Sequence, residues 1–337
     1  MTCLFRDVDS GLLCAQGSVV CIGAFDGLHL GHRALLDHAR ERARSLGLPL
    51  VALSFEPLPR EYFASAAQPP QLPPPRLLLP RMKFEGLRDL GADLVGLLRF
   101  DAAFAAMSAA EFVRHVLAWR LAAREVWVGP EFRFGHGRAG DFDSLQRLGS
   151  EHGFSAHAIE PLLLDGERVS SSAIRRQLAV GDLDGAARAL GRPYAIAGTV
   201  VRGRQLGRTL GYPTANLRLQ GKTPALGGIY ASRVHGVGAW PWPSVSSLGT
   251  RPTVHRAGSA KAEPLLEAHL FDFDADLYGQ RIEVEFVAKL RDEEKFDDLD
   301  ALIAQMHRDA AQARAILCAD FDNATTRHMG APSTSHA

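Results

Sequence analysis

Hydrophobic and polar positions along the chain follow two rhythms. In the first half, short apolar runs alternate with stretches of helical spacing. Val19 to Ile22 is an unbroken apolar run ending at Gly23, the pattern of a buried strand. From His29 the spacing turns helical, with Leu30, Ala34, Leu35 and Ala39 on one side and Arg33, Asp37, Arg40 and Glu41 on the other. Leu50 to Phe55 reads as a second strand, so this β–α–β unit predicts a parallel sheet. Lys83 to Leu90 then predicts helix, Leu94 to Leu98 strand, Ala109 to Leu121 helix and Val126 to Gly129 strand. Gln68 to Pro80 is too proline-rich for either and is expected to be a disordered linker or a mobile flap.

At Gly191-Arg192-Pro193 the rhythm changes to short strands, many glycines and no β–α alternation. Ala195–Val201, Gly228–Val234, Leu265–Phe271 and Arg281–Phe286 are the clearest strands, and their spacing suggests a compact antiparallel barrel. Asp297 to Leu317 predicts a closing helix with Leu299, Leu302, Ile303 and Met306 on its apolar face. The polar residues after Asp322 are expected to be disordered. The expected division is therefore residues 1–188, 189–320 and a tail, 321–337.

Composition narrows the function classes. A length of 337 residues fits about two domains. The 38 basic and 38 acidic residues cancel, so no overall field favours nucleic acid or an anionic membrane. Lysine occurs only at 83, 222, 261, 289 and 295, so phosphate contacts are expected from arginine, histidine and backbone N–H groups. Cys3, Cys14, Cys21 and Cys318 form no Cys-x-x-Cys pair and no disulfide framework, which suits a reducing compartment. The N-terminus lacks an apolar signal core and no run reaches membrane-spanning length, so a soluble, cytoplasmic protein is expected.

Four stretches carry candidate chemistry. Gly23 to Gly31 is a tight strand-to-helix turn in which Gly23, Gly27 and Gly31 let an anion approach the backbone. The helix start after it offers unpaired N–H groups to phosphate, and His29 and His32, three apart, can face one ligand. A Walker loop is excluded because no Gly-Lys-Ser/Thr follows; a metal site or a plain turn with two solvated histidines remains open. Val169-Ser-Ser-Ser-Ala-Ile-Arg-Arg176 places capping serines and Arg175 at a helix start, either as a second phosphate site or as an ordinary cap. Gly203 to Gly211 looks like a phosphate loop with Arg208 where lysine belongs, and it leads into Tyr212-Pro-Thr-Ala-Asn216. Thr214 and Asn216 are neutral oxygen donors that Mg²⁺ on nucleotide phosphates can share with water, unless this is only a strand-edge turn. In Leu265–Phe271, alternation puts Leu266, Ala268 and Leu270 on an apolar face and Glu267 with His269 on the other, toward solvent or a cleft.

Together these motifs resemble a known family. Gly-x-Phe-Asp-Gly-x-His-x-Gly-His32 is similar to the His-x-Gly-His signature of nucleotidylyltransferases in the form found in FAD synthetases, and Val169–Arg176 is similar to their Ile-Ser-Ser-Thr-x-Ile-Arg motif. Pro213–Asn216 with Ser247–Thr253, Leu266–Asp272, Leu277–Gly279 and Leu290–Glu293 resembles riboflavin kinase. From about residue 15 to 315 the chain thus resembles the bacterial bifunctional riboflavin kinase/FAD synthetases. The resemblance implies a Rossmann-like α/β nucleotidylyltransferase domain with a parallel sheet, then an antiparallel β-barrel kinase domain with a C-terminal helix. It implies that riboflavin, FMN and ATP are the substrates and Mg²⁺ the cofactor. His29 and His32 would hold the ATP triphosphate, with Gly23, Phe25, Asp26 and Gly27 forming the binding turn and Ser171, Ser172 and Arg175 gripping the outer phosphates. In the kinase, Gly203, Gly207, Arg208 and Pro213 would bind nucleotide, Thr214 and Asn216 the metal, and Glu267 would take the ribityl hydroxyl proton. Ala24, Leu58, Glu131 and Ser247 depart from the family pattern, so a single-activity kinase and a non-enzymatic flavin-binding module are the alternatives.

Overall fold

Six strands build a parallel sheet in the N-terminal part: β1 (Cys3–Phe5), β2 (Ser18–Ile22), β3 (Leu50–Glu56), β4 (Leu94–Arg99), β5 (Ala123–Val128) and β6 (Ser155–Ala158), in the order β1-β4-β3-β2-β5-β6. This computed structural model describes residues 2–8, 11–203, 207, 210–220, 222–254 and 260–329. Every residue of β2 is buried, because helices cover both faces of a parallel sheet. Val19 and Cys21 meet Leu35, Leu36 and Ala39 of helix α1 (Leu30–Leu46), while Val20 and Ile22 meet Phe112, Val113 and Val116 on the other side. After β4 the chain crosses back over β2 to lay down β5, so the strand order reverses between β2 and β5. Ligands of open α/β sheets bind at the carboxyl ends of the strands beside such a reversal. β1 was not foreseen; it is short and joins only the edge of β4.

The Gln68–Pro80 segment differs from the expected linker or flap. Residues 68–72 are exposed and irregular, but Arg76, Leu77, Leu78 and Leu79 are buried and a helix begins at Pro80. The proline count hid two anchors: Arg76 pairs with Glu56 and Glu61, and Asp26 accepts from the Leu77 and Leu78 N–H groups.

Beyond the small hairpin β7 (Leu163–Leu164) and β8 (Glu167–Arg168), six antiparallel strands close a barrel: β9 (Ala195–Val201), β10 (Ala215–Leu217), β11 (Gly228–His235), β12 (Trp242–Val254), β13 (Ala260–Leu270) and β14 (Arg281–Arg291). β12 escaped the hydrophobic pattern because part of the barrel interior is polar. Ser232, Ser244 and Ser246 are fully buried and bond to one another through Oγ–Oγ contacts of 2.8 and 2.6 Å, satisfying groups that would otherwise be costly inside. The last helix, Leu299–Met329, covers the barrel through Ala310, Ala313 and Leu317. It runs past the expected end at Leu317 and through the start of the expected disordered tail, since no Gly or Pro interrupts residues 299–329. The chain divides into two compact units, Met1–Ile174 with Ala189–Gly191, and Arg175–Arg188 with Arg192–Ala337. The segment 175–188 groups with the barrel, where Gly181 lies against the Lys289 side chain.

Candidate active sites

In the first unit, the loop from Gly23 to His29 leaves β2 and turns into α1. Phe25 and Leu28 take φ of 47° and 46°, a region bulky residues avoid, and both side chains are buried. His29 is the N-cap of α1, and its Nδ1 accepts from the His32 N–H at 3.3 Å. With that lone pair engaged, a neutral His29 carries its proton on Nε2. The His29 and His32 rings stack, centroids 3.7 Å apart, and Phe25 meets His32 edge-on at 5.3 Å. Burial holds the His32 imidazole well below its ordinary range, with His29 and Lys83 pushing the same way, so His32 is neutral at pH 7.

A cavity of about 410 Å³ opens beside this pair, at the ends of β2, β5 and β6. Of the residues expected from sequence, Gly23, His29, His32, Ser171 and Ser172 line it. Phe25 and Asp26 do not; both are buried, Phe25 against His32 and Asp26 against the Leu77 and Leu78 amides at 3.0 Å. Gly27 stands behind the wall with φ 102°, close to Leu77. Ser170, rather than Ser171, caps the serine helix by accepting from Ala173 N–H, and Ser171 Oγ donates to the Asp26 carbonyl at 2.7 Å. Arg175 lies one turn further on and is absent from the cavity lining. Arg60, from the segment that follows β3, and Arg168 also line the cavity; Arg168 was not singled out from sequence, although it directly precedes the serine motif. Arg168 pairs with Glu131 at 2.7 Å, and both belong to the lining.

Beneath the site lies a charged layer. Arg76, 2% exposed, reaches Glu56 at 2.7 Å and Glu61 at 2.6 Å. Lys83, fully buried, donates to Ser54 Oγ and the Phe55 carbonyl at 3.3 Å, and Ser54 Oγ donates on to the Ala24 carbonyl at 3.1 Å. Burial and then Arg76 push the Lys83 ammonium down to about 8, against the pull of Glu56, Asp26 and Glu61.

Among the described residues, the barrel borders at least two cavities. One, of about 430 Å³, is lined by Gly203, Pro213, Thr214, Asn216, Leu277 and Tyr278, among others. The other, of about 240 Å³, is lined by Gly207, Thr214, Ser247, Glu267, His269 and Met306, among others. Thr214 faces both. Asn216 and Glu267 are direct register partners across β10 and β13. Leu266, Ala268 and Leu270 are buried inward, so Glu267 and His269 share the outer face as alternation requires. Gly207 O accepts from Tyr212 N–H at 2.7 Å, closing the loop before Pro213. Arg208 lies outside the described residues. Arg291, paired to Asp309 at 2.8 Å, ties the last helix to the barrel at the smaller cavity.

Among the described residues, no group of three or more His, Cys, Asp or Glu side chains is placed to hold a metal. Asn216 Oδ1, however, is buried with no hydrogen-bond partner among the described residues, next to Gly203 and Thr214. An orphan neutral oxygen beside a hydroxyl fits a hard cation that takes its negative ligands from phosphate.

Comparison with known proteins agrees with this layout. Residues 13–173 match the family model for FAD synthetase, and residues 190–317 that for riboflavin kinase. The bifunctional riboflavin kinase/FMN adenylyltransferase of Pseudomonas fluorescens is 44% identical over 301 residues, 89% of this chain and 93% of that protein. Its Escherichia coli K12 counterpart is 44% identical over 299 residues, 89% of this chain and 92% of that one. A solved structure described as a macrolide-efflux protein from Streptococcus pneumoniae superposes with a TM-score of 0.71 at 28% identity, covering 91% of this chain and 97% of that one. Among the described residues no helix is long and apolar enough to cross a membrane. Two catalytic modules matched in tandem, and relatives alike over nearly their whole length, place the chain in the bifunctional riboflavin kinase/FMN adenylyltransferase family of enzymes.

Proposed function

We propose that both modules are active in this chain: the barrel phosphorylates riboflavin with ATP to give FMN and ADP, and the first unit joins AMP from a second ATP to FMN, giving FAD and pyrophosphate. The observation that carries the kinase reading is Thr214, which lines two cavities at once while Asn216 and Glu267 face each other beside it. One cavity takes the nucleotide and the other the flavin, so the γ-phosphorus and the ribityl hydroxyl meet at Thr214. The hydroxyl oxygen attacks phosphorus, its proton passes to the Glu267 carboxylate, and the bond to the ADP oxygen breaks. Thr214 Oγ1 and Asn216 Oδ1 are the groups that would hold Mg²⁺. When bound, Mg²⁺ supplies charge neutralisation at the phosphate oxygens.

In the first unit an FMN phosphate oxygen attacks the α-phosphorus of ATP and pyrophosphate leaves. His29, Gly31 and His32 at the start of α1 line the cavity, where the imidazoles and the helix N-terminus stabilise the charge that moves onto the leaving group. His32 is neutral before ATP arrives, and a polyphosphate beside it favours its protonated form. Incubation with riboflavin, ATP and Mg²⁺, followed by chromatography, is expected to yield both FMN and FAD. FMN alone would mean that only the barrel works, and neither product would overturn the proposal.

A further inference from the structure

His269 belongs to no step of the reaction above, yet it sits two residues from Glu267 on the same face of β13 and lines the same cavity. Its Nδ1 is 2.8 Å from the Pro213 carbonyl oxygen. A carbonyl can only accept, so the ring donates and its proton is on Nδ1. The ladder between β10 and β13 pairs Ala215 with Ala268 and Asn216 with Glu267, and its register stops at Ala215. Pro213 has no N–H to extend it. The His269 side chain takes over where the ladder ends, bonding the turn just before Thr214 to β13. Tyr212 packs edge-on against His269, centroids 4.9 Å apart, and its hydroxyl meets His307 Nδ1 of the last helix at 2.6 Å. The Tyr212-Pro213-Thr214 turn is thus held by a histidine on each side.

We infer that His269 is a positioning residue of the kinase site: by donating from Nδ1 to Pro213 it fixes the Thr214 hydroxyl relative to Asn216 and Glu267, whose own spacing the ladder sets. This rests on the kinase reading given above. Burial lowers the His269 imidazole from its ordinary range, more than its bond to Pro213 raises it, with Arg314 and Asp272 pulling in opposite directions. At neutral pH the ring therefore carries one proton, and the bond to Pro213 uses it.

The two ring nitrogens separate this role from proton transfer. An asparagine amide can stand where Nδ1 stood, whereas a glutamine amide reaches toward the place of Nε2. Riboflavin phosphorylation is measured for H269A, H269N and H269Q over a range of MgATP, with FAD formation from supplied FMN as the control. A misplacement of about 1 Å can cost about 10²-fold, so H269A and H269Q are expected to lose about 10- to 100-fold in kcat/KM for MgATP. H269N should recover most of that loss, and adenylylation should stay at the wild-type rate in all three. Unimpaired H269A, or H269N as damaged as H269Q, would overturn the inference. If H269A fails to fold and loses both activities, the comparison of H269N with H269Q still decides. Wild-type protein that makes no FMN would remove the kinase reading and this role together, an outcome distinguishable from both.

Discussion

In the first unit, His29 and His32 ride on a turn in which two bulky residues have positive φ; in the second, Asn216 and Glu267 ride on paired strands in regular register. The turn costs about 1–3 kcal/mol at each strained residue. Burying Phe25 and Leu28 returns a similar amount, about 1.5–3 kcal/mol apiece. The charged layer of Arg76, Lys83, Glu56, Glu61 and Asp26 then holds the turn from below. The barrel needs none of this, because strand pairing itself sets the spacing of Asn216 and Glu267. A site on a turn therefore depends on distant buried partners, and a site on a ladder depends on its neighbours.

The sharpest break of this contrast is Glu267→Gln. Losing a positioned general base costs about 10²–10⁴ in rate, so riboflavin phosphorylation should fall by that order while FAD formation from FMN continues unchanged. Unimpaired phosphorylation by this variant would make Glu267 part of the barrel's wetted surface. The converse, His32→Ala, should slow FAD formation about 10²–10³-fold, the usual loss for one donor to a developing charge, and leave the kinase intact. Equal loss of both activities would point to misfolding.

The charged layer predicts an effect on stability. Arg76→Met leaves Glu56 and Glu61 without their buried partner, which typically costs about 3–5 kcal/mol. Denaturant unfolding followed by FAD-forming activity should show this loss while kinase activity persists to higher denaturant. Coincident loss of the two activities would mean that the halves do not unfold independently.

The smallest effect is on protons. The folded chain holds His32 unprotonated where the unfolded chain binds a proton, so stability of the first unit should fall as pH drops below about 6.5, the ordinary histidine value. ATP binding should reverse the depression and take up a fraction of a proton near neutral pH. Calorimetry in buffers of different ionisation enthalpy measures that uptake, and a His32→Gln protein should lack it.

The same contrast explains what could be read from the chain. Alternation alone put Glu267 and His269 outward and Leu266, Ala268 and Leu270 inward, because in a strand the periodicity and the site share one axis. The βαβ opening and the histidine spacing were equally local. Asp26 and Phe25 were legible as part of the turn but not in their orientation, because what Asp26 faces is supplied by Leu77 and Leu78, far along the chain. The roles of Arg76 and Lys83 were invisible for the same reason: the Glu56, Glu61, Ser54 and Phe55 groups they meet lie on other elements. β12 was missed because its inward serines satisfy one another, which no hydrophobicity pattern records.

The anchoring of Arg76 through Leu79 leaves residues 68–72 as an exposed arc between two fixed ends, with Ala67 closing one helix and Pro80 opening the next. Such an arc is a natural splice point for a reporter. Because closure entropy grows only with the logarithm of length, doubling the arc with glycine and serine costs about 0.6 kcal/mol. A fluorescent or affinity peptide inserted beside Leu72 would travel with the adenylylating site without loosening the carboxylates that hold it.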